Sequence, residues 1–206
     1  MIIAQEDVAL SSADFHELVA RTSALLVDEC GLGSGSTAAV LAPAHWETAA
    51  ALFGAWSAGL TVSFQPASTA GLRPVAGPYD VLFVSAARER SMLEDMPEAS
   101  HRFIVGECAA LPAGYRSFAR SLPSSSASAV SFPSPDAWAT TDGSTYREWG
   151  AIAQEIALTR GYRPGDRVHV DPAVDEEPLL WLLAPLAGGA SIVIGDARAG
   201  AITSGT

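Results

Sequence analysis

Five consecutive residues, Thr141, Asp142, Gly143, Ser144 and Thr145, come nearest to carrying chemistry in this 206-residue chain. They sit in residues 136–149, DAWATTDGSTYREW, which read as a short strand, a Thr/Gly/Ser loop and a helix start. A loop of that kind between strand and helix can cradle a phosphate, because its backbone N–H groups and the helix N-terminus favour an anion. Asp142, however, places a carboxylate in the middle of the loop, and no lysine follows it. The outline is that of a nucleotide site, and the charge is wrong for one.

The other chemistry-bearing types are thinly spread. All 12 basic residues are arginine. That removes a lysine Schiff base, a Walker-type phosphate lysine and any adenylation step that uses a lysine of this chain. His16, His45, His101 and His169 have no metal-ligand or H-E-x-x-H spacing, so each reads as a solvated or satisfied histidine. Asp171, Asp175, Glu176 and Glu177 cluster beside the arginine-bearing turn of residues 163–167. A helix N-terminus favoured by the dipole accounts for that cluster; a divalent-cation site there has no supporting spacing. Cys30 and Cys108 also lack metal-like spacing and read as free thiols of a reduced cytosol. No G-x-S-x-G is present. No catalytic residue and no metal ligand is assigned.

The elements that must position the loop follow from periodicity. Residues 1–13 read as a lead-in. Asp14 then starts a helix with Glu17 as its capping-box partner, and Phe15, Leu18, Val19, Thr22, Leu25 and Leu26 lie on one face. Gly31 stops this helix. A strand (38–42), a helix carrying Trp46, Ala49, Ala50, Phe53 and Trp56, and a second strand (60–64) follow. Residues 80–85 and 102–105 read as strands, 86–96 as a charged helix, and 109–122 gives no clear element. Residues 123–135, PSSSASAVSFPSP, form the best linker. Beyond it Thr145 and Glu148 make a second capping box, opening a helix that ends at Gly161. A strand, an apolar helix (175–187) and the strand SIVI complete the chain.

At an offset of 130, residues 31–64 align with 161–194 without a gap. Gly31, Gly35, Val40, Glu47, Leu52 and Gly59 fall on Gly161, Gly165, Val170, Glu177, Leu182 and Gly189. The two expected capping boxes align at 131. The predicted fold is α/β, with two pseudo-repeated lobes of mainly parallel sheet and flanking helices joined by right-handed crossovers. The domains implied are a first lobe (1–122), the linker (123–135) and a second lobe (136–206) packed on the first.

Bulk properties narrow the function. Half the residues are hydrophobic (49%) and only 17% are charged, a globular composition. The net charge of -11 argues against nucleic acid and anionic membrane surfaces as partners. The uncharged runs 48–72 and 178–195 each break into helix, Gly turn and strand, so no membrane span is expected. The first residues lack the basic n-region of a signal peptide, and a cytoplasmic location is expected.

The pattern resembles the N-terminal domain of the AMP-dependent synthetase and ligase superfamily, the adenylate-forming enzymes. The pieces that carry the resemblance are Gly31-Leu32-Gly33-Ser34-Gly35, Ala39-Val40-Leu41, the run from Ala58-Gly59-Leu60 to Pro66, Leu183-Ala184-Pro185-Leu186 and the run from Gly188-Gly189-Ala190 to Ile194. They cover roughly residues 14–85 and 136–195. The chain also looks like a small actinobacterial family distantly related to those enzymes. The superfamily's phosphate loop, T-[SG]-G-[ST]-T-G-x-P-K-G, is matched only by Thr141 to Thr145, and the G-x-P-K-G continuation is missing. A unit charge pair at about 4 Å is worth roughly 4 kcal/mol at an effective dielectric of about 20, so a carboxylate at Asp142 would repel a triphosphate that no Mg²⁺ bridges. The later Y-G-x-T-E segment, ribose-binding aspartate and mobile C-terminal domain have no counterpart in these 206 residues, and Thr203-Ser204-Gly205-Thr206 only imitates the loop's letters.

The resemblance therefore implies a truncated, catalytically degenerate relative of adenylate-forming enzymes. It would act as a non-enzymatic binding or interaction protein, with an unknown protein partner or as a homo-oligomer. The alternative is a module that binds an acyl, aryl or nucleotide ligand in the cleft between lobes; an active AMP-forming ligase ranks last. No cofactor is expected, and ATP, AMP and CoA binding are the tests.

Overall fold

Strand alternation decides the layers. In a computed structural model, which describes residues 2–6, 8–69, 77–91, 96–125 and 130–195, five parallel strands form the first sheet. These are β3 (Thr37–Leu41), β4 (Thr61–Phe64), β5 (Tyr79–Ser85), β6 (Ala99–Val105) and β7 (Arg116–Ser117), in the order β4-β3-β5-β6-β7. Ala38, Val40, Val81, Phe83, Phe103 and Val105 point to one face and join the main core. Ala39, Leu41, Leu82, Val84 and Ile104 point to the other and form a smaller one. Both faces are covered, which is why these strands read as nearly continuous apolar runs.

The helices α1 (Ser12–Ala24) and α2 (Trp46–Ser57) pack together over the first face. Their approach is close because Gly54 has no side chain: a Cβ there would lie 2.3 Å from Thr22 Cβ. Leu25–Glu29 continues α1 as one π turn.

The second sheet holds β1 (Ile3–Gln5), β2 (Val8–Leu10), β8 (Arg167–Val170) and β9 (Ser191–Ile194), in the order β2-β1-β9-β8. The expected lead-in is thus a hairpin, and it sits beside β9, the last strand among the described residues, with Ile3 paired parallel to Ile192. Its three-residue strands are too short for periodicity to reveal. Between β5 and β8 the chain forms α3 (Ala86–Glu89), the single turn α4 (Phe118–Ser121) and α5 (Tyr146–Arg160), which leads into β8. The connection from β8 to β9 runs through a π turn (Leu179–Leu183) and a short helix, α6 (Ala184–Ala187).

The internal repeat holds in three dimensions. Thr37 pairs with Thr61 and Val40 with Phe64; Arg167 pairs with Ser191 and Val170 with Ile194, the same register at the same offset. Gly31 and Gly161 have φ of 69° and 70°, and Gly35 and Gly165 have 94° and 96°. These positive values favour glycine in the turns that feed each strand. The helix starts do not keep the offset. Ser11, not Asp14, is the N-cap of α1: its Oγ accepts from Asp14 N (3.1 Å) while Asp14 Oδ2 accepts from Ser11 N (2.8 Å). Asp14 is the third residue of its box, as Glu148 is in the box of Thr145.

Other expectations shift at their edges. The apolar helix begins at Leu179, since residues 171–176 close a turn first. The charged helix is limited to Ala86–Glu89, with residues 92–95 outside the described set. Residues 136–140 make no strand, only isolated bridges of Trp138 with Thr145 and of Thr140 with Val62. Residues 126–129 of the linker and 203–206 lie outside the described residues. The rest of the linker is tied down, with Arg21 Nε donating to Pro123 O and Phe132 meeting Phe53 edge-on. No helix among the described residues is long and apolar enough to cross a membrane.

Candidate functional site

The Thr141–Thr145 loop stands between the edge of the first sheet and the start of α5. Val62 N donates to Ala139 O (3.0 Å) and Thr141 N to Val62 O (3.1 Å), so the loop continues the sheet beyond β4. Trp56 fixes it from below: its indole Nε1 donates to Ala139 O at 2.8 Å inside the core. Around Trp56 the rings of Phe53, Phe64, Tyr146 and Trp149 pack edge to face. Desolvation in that cluster pushes the Tyr146 phenol well above its ordinary range.

The loop closes on itself. Thr140 Oγ1 donates to Asp142 Oδ1 at 2.6 Å, and Ser144 N donates to the same oxygen at 3.0 Å. These bonds, the hydroxyl's first, hold the Asp142 carboxyl below the ordinary carboxylate range. Glu148 Oε2 takes the N–H (2.8 Å) and hydroxyl (2.9 Å) of Thr145, and Thr145 Oγ1 accepts from Glu148 N. The remaining N–H groups of residues 139–141, 143, 146 and 147 donate to backbone carbonyls. The N–H groups of Ser144 and Thr145 and the hydroxyls of Thr140 and Thr145 are thus engaged by two carboxylates of the chain itself. Of the five residues named from sequence, Asp142, Ser144 and Thr145 share this network, Gly143 supplies the turn at φ 91°, and Thr141 is exposed.

A cavity of about 330 Å³ lies between the first sheet and the segment after β8, where a cleft between lobes is expected, but its lining residues were not named from sequence. It opens at the carboxyl ends of β3, β4 and β5, with Val40, Pro43, Phe64, Pro66 and Ser85 among its walls. Here the chain leaves β3 toward β4 on one side and β5 toward β6 on the other. That reversal is where open parallel sheets generally bind ligands. Arg88, only 8% exposed, lines the cavity and donates to Gln65 O. Pro172, Ala173, Glu176 and Pro178 form the opposite wall, from the segment after β8. The acidic cluster divides accordingly. Asp171 and Asp175 bond within their own turn, while Glu176, in one wall, accepts from Ser68 N and Ser68 Oγ, next to Ala67 of the facing wall. No group of three His, Cys, Asp or Glu among the described residues could hold a metal ion.

Behind the cavity, His45 caps α2, its Nδ1 accepting from Glu47 N at 3.1 Å. Burial lowers its pKa to about 4. The Glu47 carboxylate, 6% exposed, accepts from Gly106 N at 3.0 Å, tying the start of α2 to the end of β6; burial raises its pKa. His16, His101 and His169 lie on separate elements.

No family model matches the sequence. The chain is similar to a TIGR03089 family protein from Mycobacterium tuberculosis, with 46% identity over 54 residues, 26% of this chain and 22% of that protein. The apo structure of MbtA from Mycobacterium smegmatis superposes with a TM-score of 0.65 over 93% of this chain, at 21% identity. A benzoate CoA ligase from Burkholderia xenovorans superposes with a TM-score of 0.67 over 95%, at 12% identity. The chain spans 40% and 42% of those two structures, and at such identities the likeness is one of fold. The chain has the α/β fold of the N-terminal domain of the adenylate-forming enzymes, built as two mainly parallel sheets with flanking helices.

Proposed function

We propose that this chain is a non-enzymatic binding domain on an adenylate-forming scaffold, holding a small acyl or aryl ligand in the cavity at the ends of β3, β4 and β5. One observation supports the reading: Asp142 and Glu148 accept from the Thr140 hydroxyl and from the N–H groups of Ser144 and Thr145, donors of the loop that an anion could otherwise use. With no lysine in these residues to replace them, nucleotide chemistry at the loop has neither its cradle nor its cation. The cavity, by contrast, has mainly apolar walls, and its size falls in the range of small-molecule sites.

Thermal unfolding with benzoate, short acyl carboxylates, CoA, AMP and ATP tests this. A ligand at ten times its Kd stabilises by about 1.4 kcal/mol. Stabilisation by the carboxylates and none by ATP is expected. ATP–pyrophosphate exchange with any of these acids would overturn the reading.

A second reading, assembly with a protein partner or another copy, draws on α5, where Leu158 is 81% and Ile152 43% exposed. Native mass spectrometry of the purified chain separates the two readings.

A further inference from the structure

We propose that Ser68 and Glu176 form a latch across the cavity mouth, and that the latch sets how fast a ligand enters and leaves. The proposal rests on the reading of the cavity as a ligand site. The two walls belong to different parts of the fold. One is built from the strand ends of the first sheet and Ala67, the residue before Ser68 in the short turn Ala67–Thr69; the other is the segment between β8 and the π turn. Glu176 ties them directly. Its Oε1 accepts from Ser68 N at 3.1 Å, and its Oε2 accepts from Ser68 N at 3.2 Å and from Ser68 Oγ at 2.5 Å.

Three features make this a latch rather than a fixed brace. The bonds are exposed, so water competes for both partners and opening leaves neither group stranded in the core. The carboxylate makes them charge-assisted, so the closed form is still favoured. The Glu176 side of the mouth is a self-contained turn: Ala173 N donates to Asp171 Oδ1, Asp171 N to Asp175 Oδ2, and Val174 and Asp175 N to Asp171 O. It can swing about its two ends without losing its internal bonds. Val174, 73% exposed at its tip, does not anchor it in the core.

Two measurements on Glu176→Ala, with Glu177→Ala as a charge-matched control, decide the matter. Amide exchange read by NMR needs no ligand: exchange at Ser68 should quicken about tenfold or more in Glu176→Ala and stay at the native rate in the control. Unchanged exchange would overturn the latch. Stopped-flow fluorescence with 1-anilinonaphthalene-8-sulfonate, an aryl anion, then reads the cavity. Association and dissociation should both accelerate in Glu176→Ala, and an Ala42→Trp change in the cavity wall should abolish binding. Faster exchange with unaltered probe rates also counts against the latch as a gate. A probe that fails to bind the native chain, or still binds Ala42→Trp, counts against the cavity reading alone, while the exchange result stands.

Discussion

The Asp142 carboxylate lies 2.6 Å from the hydroxyl of Thr140, two residues earlier, and accepts hydrogen bonds from that hydroxyl and from the N–H of Ser144. An acidic side chain thereby occupies a hydroxyl and an N–H donor of this loop. Asp142→Gly should release both donors. We expect a loss of about 1 kcal/mol in urea unfolding, typical for exposed hydrogen bonds, and a calorimetric signal with tripolyphosphate that the native chain lacks. Because the folded carboxyl titrates below its ordinary 3.8, its stabilisation is present above that pH and is lost as the pH falls through the lowered value. Asp142→Asn should remove that acid dependence.

His45 gives a second pH dependence. Its pKa is about 4 in the fold against 6.5 ordinarily. Above pH 6.5 both states hold it neutral, and its environment costs nothing. Between the two values the unfolded chain takes a proton that the folded chain refuses, so stability falls with pH by at most about 3 kcal/mol. The raised pKa of Glu47 acts the other way: it favours the fold at acid pH, and that advantage is lost as pH rises through its folded value. His45→Asn keeps a cap for α2 and removes the imidazole. Its stability should vary less from pH 6.5 to 4 than that of the native chain, measured by denaturant midpoints.

Gly54→Ala should destabilise although alanine is the better helix former by about 1 kcal/mol. The added methyl would meet Thr22 at 2.3 Å, between two helices that both lie on the sheet. Overpacking of this kind costs about 1–3 kcal/mol, so a net loss is expected in urea unfolding. Thr22→Gly in the same chain should restore part of it.

Trp56→Phe keeps a ring among Phe53, Phe64, Tyr146 and Trp149 but deletes the buried bond to Ala139 O. Val62 N still donates to that carbonyl, which limits the cost to about 1 kcal/mol. Hydrogen exchange of Thr141 and Ser144 should speed up more than that of β5, because the indole holds the loop and not the sheet.

Much of the fold was legible because local signals agreed with it. Gly31, Gly59, Gly161 and Gly189 end helical segments, and their spacing carried the repeat through to matching strand registers. Ser11, Ser12 and Asp14 are all N-cap residue types within one turn, and only the hydrogen bonds choose Ser11 among them. The hairpin at Ile3 and Leu10 was illegible for a different reason: it is stable through Ile192, almost the whole chain away.

By itself the sequence determined the α/β class, the repeat and the Thr/Gly/Ser loop with the Asp142 charge in it, since these depend on residue type and near-neighbour spacing. Tertiary structure alone decided that Asp142 turns inward onto Thr140 and Ser144, because a carboxylate's direction depends on the donors the fold presents to it. It alone decided that Glu176 leaves its acidic neighbours to meet Ser68, and that β3 lies between β4 and β5, opening a cavity at their ends. The two cavity walls join residues more than 100 positions apart, and no local pattern in the chain encodes such a meeting.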